Sequence, residues 1–166
     1  MDLNPIKQII PINFIGIKGI KFFLHLEQNQ NMISKKCKYA LKALIYLAKN
    51  QERPTPIFSS EIAEQERIPK KFLETILREL RNAQILHSSR GKTGGYKLNK
   101  AADQILLTDL IRIIDGPIAM LPCVSLNYYA PCPECDESSC TIKGLFEKVR
   151  DETLAIFGST SIRSLL

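Results

Sequence analysis

The sequence predicts a mainly α-helical protein carrying one small β-hairpin, and three observations lead there. Apolar residues recur at helical spacing in several stretches between Ser34 and Phe157. One glycine-rich, basic segment, "ILHSSRGKTGGYKL", reads instead as strand, turn and strand. Towards the C-terminus, residues 141–158 form a helical pattern long and apolar enough to need a surface to cover.

Composition fits a globular protein: 166 residues, 45% hydrophobic and 24% charged. No apolar run reaches the roughly 18 to 20 residues that a membrane span needs. The net charge of +6 is unevenly spread. Residues 32–100 hold 15 Lys and Arg against 6 Asp and Glu, whereas residues 101–166 hold 5 against 9. A basic first half on an acidic second half suggests a polyanion-binding module carried by something else. Solvated surface charge is the plainer reading of the same numbers.

Three parts are expected: an N-terminal extension at 1–31, a compact unit at 32–100, and a C-terminal part at 101–166. The extension is rich in Ile and Phe, broken by Pro5, Pro11, Gly16 and Gly19, and without a regular period. It fits a secretory signal poorly, since no small-residue cleavage site follows a compact apolar core. Translation is expected to begin at Met32, making 1–31 upstream sequence or a disordered tail. A short membrane-surface anchor is the alternative.

"SKKCKYALKALIYLAKN" places Leu41, Leu44, Ile45, Leu47 and Ala48 on one side and lysines on the other, an amphipathic helix. Arg53 to Pro56 break it. Ser59 or Ser60 is the expected N-cap of a short second helix, because a hydroxyl can accept from an unpaired first-turn N–H. Pro69 is expected at the first position of a third helix, where a missing N–H does no harm. That helix carries Phe72, Leu73, Ile76, Leu77 and Leu80 on its inner stripe. Lys71, Glu74, Thr75, Arg78, Arg81 and Asn82 lie outside. A short helix, a brief turn and a helix with a basic outer face read as a helix-turn-helix. Many helical proteins contain such a pair.

The hairpin narrows the choice. Gly91, Gly94 and Gly95 permit backbone angles that other residues resist, and Arg90 and Lys92 sit at its loop, within reach of a phosphate or a minor groove. A basic hairpin directly after a helix-turn-helix is a wing. An ordinary surface hairpin is the plainer reading, but the order of elements restricts more than any one piece. Thr108 is then expected to cap a helix over "LTDLIRIIDGP", which Gly116 and Pro117 stop. In the last helix Ile142, Leu145, Phe146, Val149, Ile156 and Phe157 recur at helical spacing, with Gly158 as its end. A second copy of the same helix is the economical partner, and a homodimer would set two reading helices about one DNA turn apart on a palindromic duplex.

Four of the five cysteines crowd one stretch, Cys123-x8-Cys132-x2-Cys135-x4-Cys140. Four thiolates could hold a [2Fe–2S] or [4Fe–4S] cluster or a tetrahedral zinc. A reversible thiol switch, or no cofactor at all, are the other readings. Disulfides are disfavoured because nothing directs the chain out of a reducing cytosol, so a cytoplasmic location is expected. Cys37 reads as a small packed residue.

These segments together resemble the Rrf-two family of bacterial winged-helix transcriptional regulators, which includes the IscR, NsrR and CymR types. "SKKCKYALKALIYLA", "IPKKFLETILRELRNAQIL", "SSRGKTGGYKL", "DLIRIIDGP" and the cysteine loop leading into "CTIKGLFEKVRD" carry the likeness, from Met32 to the C-terminus. It implies a dimeric DNA-binding regulator, a repressor by expectation, with crossed C-terminal helices, a recognition helix in the major groove and a wing in the minor groove. By position it implies Lys71, Glu74 and Thr75 as base readers and Arg90 as the wing arginine. Lys70, Arg78 and Lys92 would contact phosphates, and Ser59, Ser60 and Tyr96 complete the implied DNA-contacting set.

In this family three loop cysteines commonly hold an iron–sulfur cluster with a variable fourth ligand. Cys123 and Cys140 align well, and the middle ligand is open between Cys132 and Cys135. The chain departs from the family twice. Lys143 stands where the IscR type has a histidine, and Lys38 stands where the NsrR type has a carboxylate. A protonated lysine has no lone pair to offer a metal. An enzyme using Cys–His chemistry is the rival class, but His25 lies in the extension and His87 in the first wing strand, with no phosphate loop or His-x-x-x-His pair. A winged helix serving protein contacts alone is a third reading.

Overall fold

A computed structural model describes residues 33–91 and 94–166. The order is α1 (Lys35–Lys49), α2 (Ser59–Glu66), α3 (Lys70–Asn82), β1 (Leu86–Ser89), β2 (Gly95–Leu98), α4 (Leu107–Ile114) and α5 (Lys143–Ser159). Short 3-10 turns lie at Pro122–Val124 and Arg163–Leu165. This is the mainly helical winged helix-turn-helix that the sequence predicts, with its small hairpin in place.

Helix α1 starts where Ser34 accepts a hydrogen bond from the Cys37 amide at 3.0 Å. It contains neither Gly nor Pro, and its inner face buries Cys37, Ala40, Ala43, Leu44, Leu47 and Ala48. Three alanines and a cysteine on that face let neighbours approach closely, and α2, α3, α4 and β2 all pack on it. Helix α3 contributes Leu73, Ile76, Leu77 and Leu80, each fully buried. Phe72, expected on the same inner stripe, is 39% exposed and meets Tyr39 of α1 edge-on, with ring centroids 5.8 Å apart.

Several expected helix boundaries need correction. Neither Ser59 nor Ser60 caps α2: Phe58 holds the cap position, no side chain caps it, and both serines lie in the first turn. The cause is upstream, where Ile57 exchanges two backbone hydrogen bonds with Tyr96, at 3.0 and 2.8 Å, and fixes the extended entry. Pro69 is the residue before α3 rather than its first. Thr108 does not cap α4 either. Leu106 holds the cap position, two residues earlier, the Leu107 amide is satisfied by the Thr160 carbonyl at 2.9 Å, and Thr108 is buried. Helix α5 continues one residue past Gly158.

After α5 the chain returns to the segment preceding α4. Leu106 and Ser161 form a β-bridge, and the Ile162 amide donates to the Ile105 carbonyl at 2.9 Å. Ile162 is fully buried beside Ile105 in the main core. Helix α5 itself contributes no fully buried residue. Ile142, Leu145 and Ile156 are 54%, 60% and 60% exposed.

The hairpin pairs Leu86 with Leu98, His87 with Lys97, Ser88 with Tyr96 and Ser89 with Gly95. Gly95 has φ of +144° and lies so near the Ile57 backbone that a Cβ there would sit 2.6 Å from its carbonyl oxygen. Only glycine combines that angle with that approach. Gly95→Ala is therefore expected to destabilise the protein by about 2 kcal/mol or more, read as a lower midpoint in urea unfolding; an unchanged midpoint would refute the account of the wing base.

Candidate nucleic-acid interface and cysteine connector

Helix α3 turns its apolar face inward, and its outer face carries the residues expected to read DNA. Lys70, Lys71, Thr75 and Arg78 are exposed, while Glu74 is half-buried. The Thr75 hydroxyl donates to the Lys71 carbonyl at 3.3 Å. Arg90 is exposed just beyond β1, next to Gly91 at φ of +99°. Ser60 is exposed and Ser59 half-exposed at the start of α2. Tyr96 is half-buried on β2 and packs against the core. Lys92 lies outside the described residues.

Charge is partitioned in an instructive way. Among the described residues, Lys36 pairs with Glu79, Lys42 with Glu66, Arg53 with Glu61, Lys143 with Glu137 and Arg150 with Asp151. Lys70, Lys71, Arg78 and Arg90 take part in none of these pairs. Five cations are thus tied to carboxylates, whereas Lys70, Lys71 and Arg78 on the α3 outer face and Arg90 at the wing are exposed and open to an external anion. The first turns of α2 and α3 also lack side-chain caps, so no side chain occupies their first amides.

Sequence reasoning missed Glu61. Its carboxylate accepts from the Arg53 guanidinium at 2.5 Å and from the Tyr46 hydroxyl at 2.9 Å. The Arg53 hydrogen bond, then the Tyr46 one, hold it below the usual carboxylate range. Glu61 thereby braces the loop after α1 against the start of α2. The signal was present only as an acidic residue in the first turn of a helix, a preference too common to single it out.

The five cysteines are all free thiols and divide by environment. Cys123 is buried in the 3-10 turn at Pro122–Val124, whose Val124 carbonyl accepts from Arg150 of α5 at 2.6 Å. Cys132 and Cys140 are half-buried and Cys135 is exposed. The Cys135 thiol is pushed up to about 12, first by hydrogen bonding with Cys132, then by desolvation and by Cys140. Three thiols thus neighbour one another without converging. Among the described residues no group of three or more His, Cys, Asp or Glu is arranged around a common centre that could hold a metal ion. The donor chemistry suits a thiophilic metal, and closing the set requires the connector to draw in. Lys143 is tied to Glu137 at 2.7 Å, and Glu137 also accepts from Tyr129 at 2.5 Å, so the histidine position of the IscR type is taken up by an ion pair. Lys38 is exposed on α1.

Comparison with known proteins decides the family. The profile of the Rrf2 family, described as an iron-dependent transcriptional regulator, matches residues 33–166. The chain belongs to the Rrf2 family. It is 44% identical over 138 residues to an rrf2-like HTH-type transcriptional regulator of Rhodobacter capsulatus, spanning 81% of this chain and 92% of that one. It is 32% identical over 134 residues to the regulator CymR of Bacillus subtilis, spanning 80% and 88%. The structure of CymR, titled the global cysteine regulator of B. subtilis, superposes with a TM-score of 0.66 at 29% identity, covering 80% of this chain and 94% of that one. The fold is also that of T. potens IscR, with a TM-score of 0.62 at 23% identity. These Rrf2 relatives are transcriptional regulators and not enzymes, so this is a DNA-binding regulator of the same family. Among the described residues no helix is long and apolar enough to cross a membrane.

Cys37 behaves as a packed residue, fully buried with its thiol pushed up to about 12, chiefly by desolvation and then by the charge of Asp115. At pH 8, iodoacetamide should label Cys37 at least about 100-fold more slowly in the folded protein than in urea, since the thiolate is the reacting form. Peptide mass mapping over time checks this; equal rates would place Cys37 outside the core.

Proposed function

We propose that the chain is a sequence-specific, homodimeric transcriptional repressor that reads a palindromic duplex through α3 and its wing, under control of the cysteine connector. The observation that carries the DNA-reading part is the set of exposed cations, outside the ion pairs found among the described residues, on the outer face of α3 and at the wing. Lys71, Glu74 and Thr75 are assigned to base edges: a carboxylate can accept from a cytosine amine, and a lysine can donate to guanine. Arg90 is assigned to the minor groove, whose negative potential favours a guanidinium. Lys70, Arg78 and Lys92 are assigned to phosphates, with Ser60 in the first turn of α2 as a further contact. Tyr96 underlies the wing, and Ser59 lies at the start of α2. The exposed apolar residues of α5 support pairing with a second copy, since Ile142, Leu145 and Ile156 otherwise face water. The compact unit of 32–100 is then the reading head, and 101–166 the sensing and pairing part.

A duplex selected from genomic DNA provides the test. Arg90→Ala should weaken binding by about 1–3 kcal/mol, and Lys92→Ala should mainly lower the salt slope, by about one. Fluorescence anisotropy over a salt series measures both; unaltered affinity for Arg90→Ala would reject the docking assignment.

For the connector, the reading is a thiophilic centre held by Cys123, Cys140 and one or both of Cys132 and Cys135. An iron–sulfur cluster is the first choice, with zinc or bare thiols as the alternatives. Such a centre would supply sensitivity to iron, oxidation or nitrosative attack. Support comes from the neighbouring thiols of Cys132, Cys135 and Cys140 and from the family description. The loop's own anchors are Arg150, which fixes the Cys123 turn to α5, and Lys143, which fixes Glu137 to its first residue. Drawing the thiols together would therefore act directly on α5. Protein purified without oxygen should be coloured and contain iron and sulfide. Colourless protein with stoichiometric zinc would eliminate the cluster and keep the tetrathiolate.

A further inference from the structure

Asp115 has a role that neither DNA reading nor thiol chemistry accounts for. It is the C-cap of α4, and the chain turns away immediately after it at Gly116, φ +92°, into Pro117 and the connector. Its carboxylate does not serve its own helix. One oxygen accepts from the Ser34 amide at 2.9 Å, and the other accepts from the Ser34 hydroxyl. Ser34 lies 81 positions earlier and is the N-cap of α1. A half-buried carboxylate at a helix N-terminus, with one donor on each oxygen, is a well-satisfied arrangement. It joins the last residue before the connector to the first turn of the central helix.

Two contacts then continue from the N-terminal part of α1 to the recognition helix. Lys36 of α1 pairs with Glu79 of α3 at 2.7 Å, and the Tyr39 ring meets Phe72 of α3 edge-on. A displacement of the Cys123 turn reaches Asp115 through the short segment from Gly116 to Leu121. A displacement of Asp115 either carries Ser34 with it or uncaps α1. The steps from Asp115 to α3 are contacts between named residues, and the step from the Cys123 turn to Asp115 is the covalent chain itself.

We propose that the Asp115–Ser34 contact is the clamp through which the state of the cysteine connector reaches α1 and, through Lys36 and Tyr39, the recognition helix. Asp115 is a positioning residue: it touches neither duplex nor connector thiols, and it sets the angle at which α3 is presented. This deepens the regulator reading and rests on it. The structure shows the clamp closed, and the switch reading adds a released arrangement in which Ser34 is uncoupled from Asp115.

The test uses the full chain before and after its connector thiols are blocked with N-ethylmaleimide, with peptide mass mapping to confirm adducts there and none at Cys37. Hydrogen exchange of the first turns of α1 and α3 is followed, together with affinity for the selected duplex. In the unsubstituted protein the adduct should raise exchange at residues 35–38 and change duplex affinity, each by about 5-fold or more. In Asp115→Asn exchange in α1 should already be raised, and the adduct should alter neither readout further. Ser34→Ala, which keeps the backbone bond to Asp115, should show the same pattern more weakly, and it decides the matter if Asp115→Asn does not fold. Unchanged α1 exchange on blocking the unsubstituted protein, or full transmission in both variants, would overturn the clamp. Absence of duplex binding by untreated protein would overturn the regulator reading instead, with the exchange result still deciding the clamp.

Discussion

Everything in the reading head depends on the burial of one narrow face of α1. Cys37, Ala40, Ala43 and Leu44 are each without solvent exposure, and the small side chains among them are what admit α3 and α4 at close range. A larger residue at either alanine would force neighbouring helices apart, and a well-packed core resists that strongly. Because α3 is placed by α1, the outward aim of Lys71, Thr75 and Arg78 is a consequence of packing that none of those residues controls. The exposed face of α3 thus owes its geometry to the buried one.

Much of this was legible in the chain, for identifiable reasons. The inner stripe of α3 follows from periodicity because Leu73, Ile76, Leu77 and Leu80 leave no other consistent face. The wing follows from Gly94 and Gly95, since few local structures need two glycines before an alternating segment. Boundaries were less legible because they are decided by contacts far away in sequence. Ser59 looks like a cap until Ile57 is paired with Tyr96, and Thr108 looks like one until the Thr160 carbonyl satisfies Leu107. The turn after α2 gives another case: Arg67 adopts the left-handed conformation, φ 54°, at a position where the sequence offers no glycine to announce it.

The candidate site divides in the same way. Exposed cations on a helix are visible from spacing alone, but which of them are ion-paired is a matter of three-dimensional neighbours. Lys36, Lys42 and Arg53 look as available as Lys70 and Arg78 in the sequence, yet the first three are held by glutamates. Glu61 and Asp115 were invisible as organising groups because a single carboxylate carries no pattern. The cysteine spacing suggests a thiol centre, whereas the burial of Cys123 apart from its three more accessible companions is a matter of three-dimensional packing.

The hairpin is less independent than its two strands suggest. Ile57 pairs with Tyr96, and the Lys97 ammonium donates to the Pro54 carbonyl at 2.8 Å. The piece of chain between α1 and α2 is thus effectively a third edge of the hairpin. Transplanting this hairpin between homologues as a cassette would sever that edge unless residues 53–58 travel with it, so the natural unit of exchange is discontinuous.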